Sequence, residues 1–328
     1  MNRAGRGRPV LLDCDPGYDD ALALLFALGS PSIDLLAVTT VFGNGPLEQT
    51  SRTAGRVLAL AGRTDVPLAA GAAGPLIGGT RRFGGRRGGA EPAGLPPAHL
   101  AVEPVDTPAV DLMASLIRTA REPVTLVATG PATNTARLVR DHPDLHHRIA
   151  DLVVMAGSAR GGNCTPTAEF NAASDPEALD ILLDVPGGAG PGRRPRLVGL
   201  DLTRQAVAPA DVIHRLTRFG HEPATVAAAW LTELTGACAG AGGGADRPVH
   251  DLCAAAAVVD PTVMGWTPAV VTVDLDGHDT RGTTVVDDPA IRGRAANAQV
   301  ATALDLDRFW AMVIDALDRL GSGRGNDG

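Results

Sequence analysis

The octet Asp13-Cys14-Asp15-Pro16-Gly17-Tyr18-Asp19-Asp20 follows a short apolar run, Pro9 to Leu12, and precedes another, Ala21 to Leu28. That order reads as a buried strand, a Pro-Gly turn and a helix that opens on acids. In an extended segment side chains two apart share a face, so Asp13 and Asp15 point one way at the strand end while Cys14 points the other way, into packing. Asp19 and Asp20 fall at the helix start, where unpaired backbone amides and the helix dipole favour negative charge. Taken singly, Asp19 reads equally as a helix cap and Asp13 as a solvated strand end. Taken together, four carboxylates within eight residues repel one another unless a cation binds, and hard oxygen donors favour calcium or magnesium over zinc.

The same unit recurs along the chain. Runs rich in Val and Leu at Leu35 to Val41, Val124 to Ala128, Leu152 to Met155 and Leu197 to Leu200 are each followed by Gly, Asn, Asp or Thr and then a helix-like segment. This is how buried parallel strands alternating with helices read, and it predicts an α/β fold whose mostly parallel open sheet is flanked by helices. Helices are expected near Leu47 to Ala61, Pro108 to Arg121, Ala132 to Arg140, Pro176 to Leu183, Pro209 to Phe219, Ala224 to Leu234, His250 to Val259 and Asp305 to Leu320. Val- and Thr-rich runs near Ala269 to Leu275, Thr283 to Val286 and Gln299 to Ala303 predict extra strands late in the chain. Residues 71–105, dominated by Gly, Pro and Arg, are expected to form a lid loop over the sheet. Val185 to Pro195 reads as a surface insertion. Neither stretch breaks the alternation, so residues 1–328 are expected to form one domain. Ligands in open α/β sheets sit beyond the carboxyl ends of the strands, which directs attention to the residues that follow each strand.

Composition removes several function classes. With 328 residues and 45% hydrophobic side chains the chain can bury a large core, and a formal charge of -8 argues against a general nucleic-acid binder. The sequence contains no lysine, all 29 basic side chains being arginine, which excludes Schiff-base and P-loop lysine chemistry. Cys14, Cys164, Cys238 and Cys253 form no CxxC pair, so neither a zinc site nor a disulfide framework is expected. A reducing, cytoplasmic compartment fits that usage. The basic N-terminus lacks an apolar core of signal-peptide length, and Ala21 to Leu28, the longest apolar run, is far short of a membrane span. His142, His146 and His147 have helical spacing, yet DHPDLHHR reads as a solvated helix end. Arg81, Arg82, Arg86 and Arg87 would meet a phosphate or simply keep the lid wet.

The octet resembles the DxDPGxDD signature that opens the nucleoside hydrolase family, and the resemblance continues in order across nearly the whole chain. Asn44 lies in VFGN, Thr129 in ATGPATN, Met155 in VVMAGS and Asn163 in GGN. Glu169 and Asn171 lie in AEFN, His250 and Asp251 in VHDLCAAAAVVDP, and Arg281 to Asp287 read RGTTVVD. The resemblance implies calcium held by Asp15, Asp20, the Thr129 carbonyl and Asp251, together with the ribose 2′- and 3′-hydroxyls. It implies hydrolysis of the N-glycosidic bond of ribonucleosides to ribose and free base through an oxocarbenium-like transition state, with Asp15 as general base for the attacking water. Asp19 and Asn171 would hold the ribose hydroxyls, Asn163 and Glu169 the 5′-hydroxyl, and Asn44 and Met155 would support the sugar. His250 is the candidate acid for the departing base, and otherwise a helix-start residue or a support for Asp251. Relatives are usually dimers or tetramers, so a homo-oligomer is expected.

The chain departs from the family on the side of the base. Many relatives place a His-Gly pair in the lid where this chain has GGRRGGAEPAGL, and TGACAGAGGGADRP before His250 is small and glycine-rich where relatives often supply aromatic residues. Trp230 reads as core, while Phe170 is a candidate to line the base pocket. Two other readings compete. An aspartate-based phosphatase also places DxD after its first strand, but it needs a downstream lysine. A non-hydrolytic nucleoside- or ribose-binding protein on the same scaffold would not require Asp15 and His250.

Overall fold

The apolar run ahead of the acidic octet forms β1 (Arg8–Cys14), an interior strand of the sheet in the computed structural model, which describes residues 7–78, 91–185, 194–236 and 247–322. The chain continues through α1 (Tyr18–Gly29), β2 (Ile33–Thr40), α2 (Leu47–Leu60), β3 (Leu68–Ala70), α3 (Ala109–Thr119), β4 (Val124–Ala128), α4 (Thr133–Asp141) and β5 (Ile149–Val154). Then come α5 (Phe170–Ser174), α6 (Pro176–Asp184), β6 (Arg196–Leu197), α7 (Leu200–Thr203), α8 (Ala210–Arg218), α9 (Glu222–Leu234) and α10 (His250–Val259). The last part holds β7 (Met264–Val273), β8 (Thr284–Asp287), α11 (Pro289–Arg292), β9 (Ala298–Leu304) and α12 (Leu306–Ser322). Among the described residues the strands form one nine-stranded sheet in the order β3-β2-β1-β4-β5-β6-β9-β7-β8. Pairing is parallel from β3 to β9, and β7 lies antiparallel to both β9 and β8. This is the single α/β domain with late extra strands that the alternation predicts.

Strand alternation divides the interior in two. Val10, Leu12 and Cys14 of β1 face the core shared with α1, α2, α8, α9, α10 and α12, whereas Leu11 faces the core shared with α3, α4 and α6. Cys14 therefore packs as expected, and Asp13 follows Leu11 toward α4. The chain leaves β1 outward through β2 and β3, then returns to β4 on the opposite side. The switch point of the sheet lies between β1 and β4, and that is where ligands bind in folds of this kind.

Boundaries shift where local pattern is weak. β3 has only three residues and was not expected. β6 stops at Leu197, because the chain bends at Gly199 into α7. β7 starts at Met264, ahead of Ala269, since Gly265 and Pro268 interrupt its pattern; a bulge at Gly265/Trp266 accommodates the break in register with β9. At the far end of the expected lid, the Arg56 guanidinium donates to the carbonyls of Leu95 (2.9 Å) and Pro96 (2.5 Å) and pairs with Glu91 at 2.6 Å, while the buried Trp230 indole donates to Ala93 O at 2.6 Å. Arg81, Arg82, Arg86 and Arg87, Cys238 and most of the Val185 to Pro195 insertion lie outside the described residues. His142 and His146 contact Arg118 and the Val139 carbonyl at the end of α4. Among the described residues no helix is long and apolar enough to cross a membrane.

Candidate active site

Parallel register builds the site. Asp13 pairs with Thr39 of β2 and with Ala128 of β4, and Ala128 pairs with Val154 of β5, so the four strands end in one row. Backbone bonds carry the row one step further: Val41 N donates to Cys14 O, Thr129 N to Asp13 O and Met155 N to Ala128 O. The residues just beyond the strands, Asp15, Asn44, Thr129 and Met155, therefore come together although they are remote in sequence. α1 packs against α10, which brings Asp19 and Asp20 up to Asp251.

Asp13 supports this platform from beneath. Its Oδ1 accepts from Thr39 Oγ1 (2.7 Å) and Asn134 Nδ2 (2.8 Å), and its Oδ2 accepts from Thr135 Oγ1 at 3.3 Å. Burial pushes its pKa up to about 6 against the opposing pull of those three bonds. Asn134 ties the region together, since its amide nitrogen also donates to Thr40 O (3.0 Å) and its Oδ1 accepts from Ala72 N (2.8 Å).

Asp15 and Asp20 have no exposed surface. Asp15 Oδ2 accepts from Asn44 N at 2.6 Å, and Asp15 Oδ1 is buried with no hydrogen-bond partner among the described residues. Two glycines make its pocket: a Cβ at Gly43 would overlap Asp15 Oδ2, and one at Gly130 would stand 2.7 Å from Oδ1. Asp20 accepts from Thr129 Oγ1 (2.8 Å), Gly17 N (3.3 Å) and Asn44 Nδ2 (3.3 Å). Burial, then repulsion from Asp19, raises Asp20 to about 6. Asp15 and Asp251 are pushed well above the usual carboxylate range, first by burial and then by neighbouring carboxylates.

Asp251 faces Asp19 and Asp20, which add to its burial in raising its pKa. Buried carboxylates gathered this densely repel one another, and a proton or a cation among them relieves that repulsion. Among the described residues Asp19, Asp20 and Asp251 are the one group of His, Cys, Asp or Glu side chains whose ligand atoms converge, all within 4.8 Å. Asp15 lies outside that trio but close enough to repel Asp20 and Asp251. An all-oxygen donor set, excess buried negative charge and the orphaned Asp15 oxygen fit a hard divalent cation.

The expected sugar contacts surround this cluster. Asn171 donates through Nδ2 to the carbonyls of Thr129 (2.6 Å) and Met155 (2.9 Å). Glu169 caps α5, with Oε1 accepting from Asn171 N (2.8 Å) and Oε2 from Ala172 N and Gly157 N (both 3.0 Å). Asn163 Oδ1 accepts from Phe170 N at 2.9 Å. His250 stands on the rim, its backbone N donating to Asp19 Oδ2 at 3.3 Å and its Nδ1 lying 2.7 Å from Thr203 Oγ1. Sequence reasoning missed Thr39, Asn134, Thr135 and Thr203. The string ATGPATN ends on Asn134, with Thr135 next in the chain, so both lie just past a noted residue, and nothing local marks Thr203.

The arrangement has close counterparts. The family model described as inosine-uridine preferring nucleoside hydrolase matches residues 10–311. The inosine-uridine preferring nucleoside hydrolase of Leishmania major is 41% identical over 318 residues, covering 96% of this chain and 98% of its own. The pyrimidine-specific ribonucleoside hydrolase RihA of Escherichia coli is 38% identical over 313 residues, covering 94% and 98%. The structure of the purine-preferring ribonucleoside hydrolase from Gardnerella vaginalis superposes with a TM-score of 0.81 at 27% identity, covering 95% of this chain and 99% of that one. Agreement over almost the full length, together with acids gathered at the switch point of the sheet, leads to one conclusion: the chain belongs to the inosine-uridine preferring nucleoside hydrolase family and is an N-ribosyl hydrolase.

Proposed function

We propose that this enzyme hydrolyses ribonucleosides in a calcium-dependent reaction at the Asp15, Asp20, Thr129 and Asp251 platform. The observation that carries the reading is the buried Asp15 Oδ1, which has no hydrogen-bond partner among the described residues and lies beside the converging carboxylates of Asp19, Asp20 and Asp251. Asp15, Asp20, the Thr129 carbonyl and Asp251 would hold the cation. When bound, calcium supplies charge neutralisation, a grip on vicinal hydroxyls and acidification of nearby water.

The chain's own groups then divide the work. Asp15 takes a proton from water as its oxygen bonds to the anomeric carbon, and the C–N bond breaks with its electron pair going to the base. His250 donates a proton to that base. Asp19 and Asn171 hold the ribose hydroxyls, and Asn44 and Met155 back the sugar. Asn163 and Glu169 receive the 5′-hydroxyl, a carboxylate oxygen that already accepts an amide hydrogen having a second lone pair to offer. Clustered acids and amides favour the positive charge that grows on the ring. The same reading takes the enzyme as cytoplasmic and as a homo-oligomer, the latter checked by light scattering of the pure protein, and takes residues 71–105, of which 79–90 lie outside the described residues, as a lid.

The test is a panel of purine and pyrimidine ribonucleosides with free base and reducing sugar quantified. Chelator should abolish release and calcium should restore it. Asp15→Asn should lower kcat by roughly 10³-fold with an unchanged circular dichroism spectrum. Tight calcium-dependent ribose binding with no release from any nucleoside would establish a binding protein instead, and near-normal turnover by Asp15→Asn would remove the assigned base.

A further inference from the structure

The motif RGTTVVD has no part in the chemistry above, yet its residues converge on the loop that carries the 5′-hydroxyl contacts. We infer that Thr284, opposed by Asp201 and Arg204, clamps the loop between β5 and α5, and that these positioning residues set the enzyme's discrimination for the 5′-hydroxyl. The inference rests on the reading of Asn163 and Glu169 given above.

Thr284 opens β8 and is buried. Its Oγ1 accepts from Ser158 N and donates to Ser158 O, both at 2.8 Å, so one hydroxyl holds both polar groups of one residue's backbone. The neighbouring turn fits closely: Gly157 has φ +77, and a Cβ there would stand 2.9 Å from Thr284 Oγ1 and Cγ2. The path to the sugar is then short. Gly157 N, one peptide before Ser158, donates to Glu169 Oε2 at 3.0 Å. Thr283 Oγ1 also bonds Thr167 Oγ1 at 2.7 Å, just ahead of Glu169.

The motif is itself anchored. Arg281 pairs with Glu177 of α6 at 2.5 Å, and Gly282, with φ +85, lies so close to α5 that a Cβ would stand 2.6 Å from Ala173 Cα. From the other side Asp201 Oδ2 accepts from Ala159 N (2.6 Å) and Ser158 Oγ (3.3 Å), and Arg204 donates to the carbonyls of Arg160 (3.1 Å) and Gly162 (2.8 Å). The residue after Gly162 is Asn163. The loop is thus gripped on two faces immediately before each proposed contact.

A site built to hydrogen-bond a substrate hydroxyl rejects an analogue that lacks it, and a displacement of about 1 Å removes much of that advantage. Measured by kcat/KM, the preference for a ribonucleoside over its 5′-deoxy analogue reports the clamp. Thr284→Val keeps the shape and removes both bonds. It should lower the preference about tenfold or more, chiefly through loss with the parent nucleoside, and Thr284→Ser should restore it to within about threefold. Arg204→Met, at an exposed position, should lower the preference in the same direction and serves if Thr284→Val folds poorly. An unchanged preference in both Thr284→Val and Arg204→Met, whether both substrates slow equally or neither does, overturns the inference. Asn163→Ala and Glu169→Gln separate the two levels. If they collapse the preference while the clamp variants do not, the clamp alone is wrong; if they leave it unchanged, the 5′-hydroxyl reading falls and the clamp with it.

Discussion

Thr203 Oγ1 stands 2.7 Å from His250 Nδ1, and Thr203 is fully buried at the end of α7. With the hydroxyl donating to Nδ1, Nε2 is the ring nitrogen left to carry a proton to the departing base. Thr203→Val should therefore slow hydrolysis of ordinary nucleosides roughly tenfold, as part of an acid's usual contribution, and barely affect a nitrophenyl riboside, whose leaving group needs no proton. Equal slowing of both substrates in steady-state assays would show that Thr203 serves stability rather than His250.

On the proposed reading, cation and proton compete at the acidic platform. The folded-state pKa values of Asp13 and Asp20, about 6 against 3.8 for the free side chain, are raised, so the folded protein without cation binds extra protons between those values. Their contribution to stability is present below pH 3.8 and is lost as pH rises through 6. Calcium should offset that loss. The rise in melting temperature on replacing chelator with calcium is expected to be larger at pH 7.5 than at pH 5, both being chosen conditions either side of the window. A calcium effect that is equal at the two values, or larger at the acid one, contradicts the site.

Asn134 serves three partners at once: Asp13, the Thr40 carbonyl and the Ala72 amide. Asn134→Leu leaves all three buried groups short of a bond. A loss of about 3 kcal/mol in denaturant unfolding is expected, more than for an ordinary surface substitution. A loss under about 1 kcal/mol would mean that the neighbouring groups re-pair without it.

Much of this was legible because a parallel α/β sheet displays its site at strand ends. Asp15 and Asp20 are legible locally, as acids of a dense cluster between an apolar run and a helix, whereas Asn44, Thr129, Met155 and Asp251 are marked by the family resemblance. The supports were not legible. Asp13 meets Asn134 through the register of β1 with β4, and Thr203 meets His250 across 47 positions, neither of which local pattern encodes. β3 escaped notice because three residues carry no periodicity, and α7 because its Gly199 start lies inside what reads as a strand. Trp230, expected in the core, is there, and its indole also holds the end of the residue 71–105 segment.

The pairing of α1 with α10 has a consequence for how the enzyme comes into being. His250 N bonds Asp19 across 231 positions, and Arg8 reaches the Val258 carbonyl from the start of β1. Contacts of such separation close late in folding, after local helices and neighbouring strands have formed. On a ribosome the opening acids emerge long before Asp251 exists to meet them. A chain interrupted ahead of α10 therefore carries the acidic octet without the Asp251 carboxylate that converges on it.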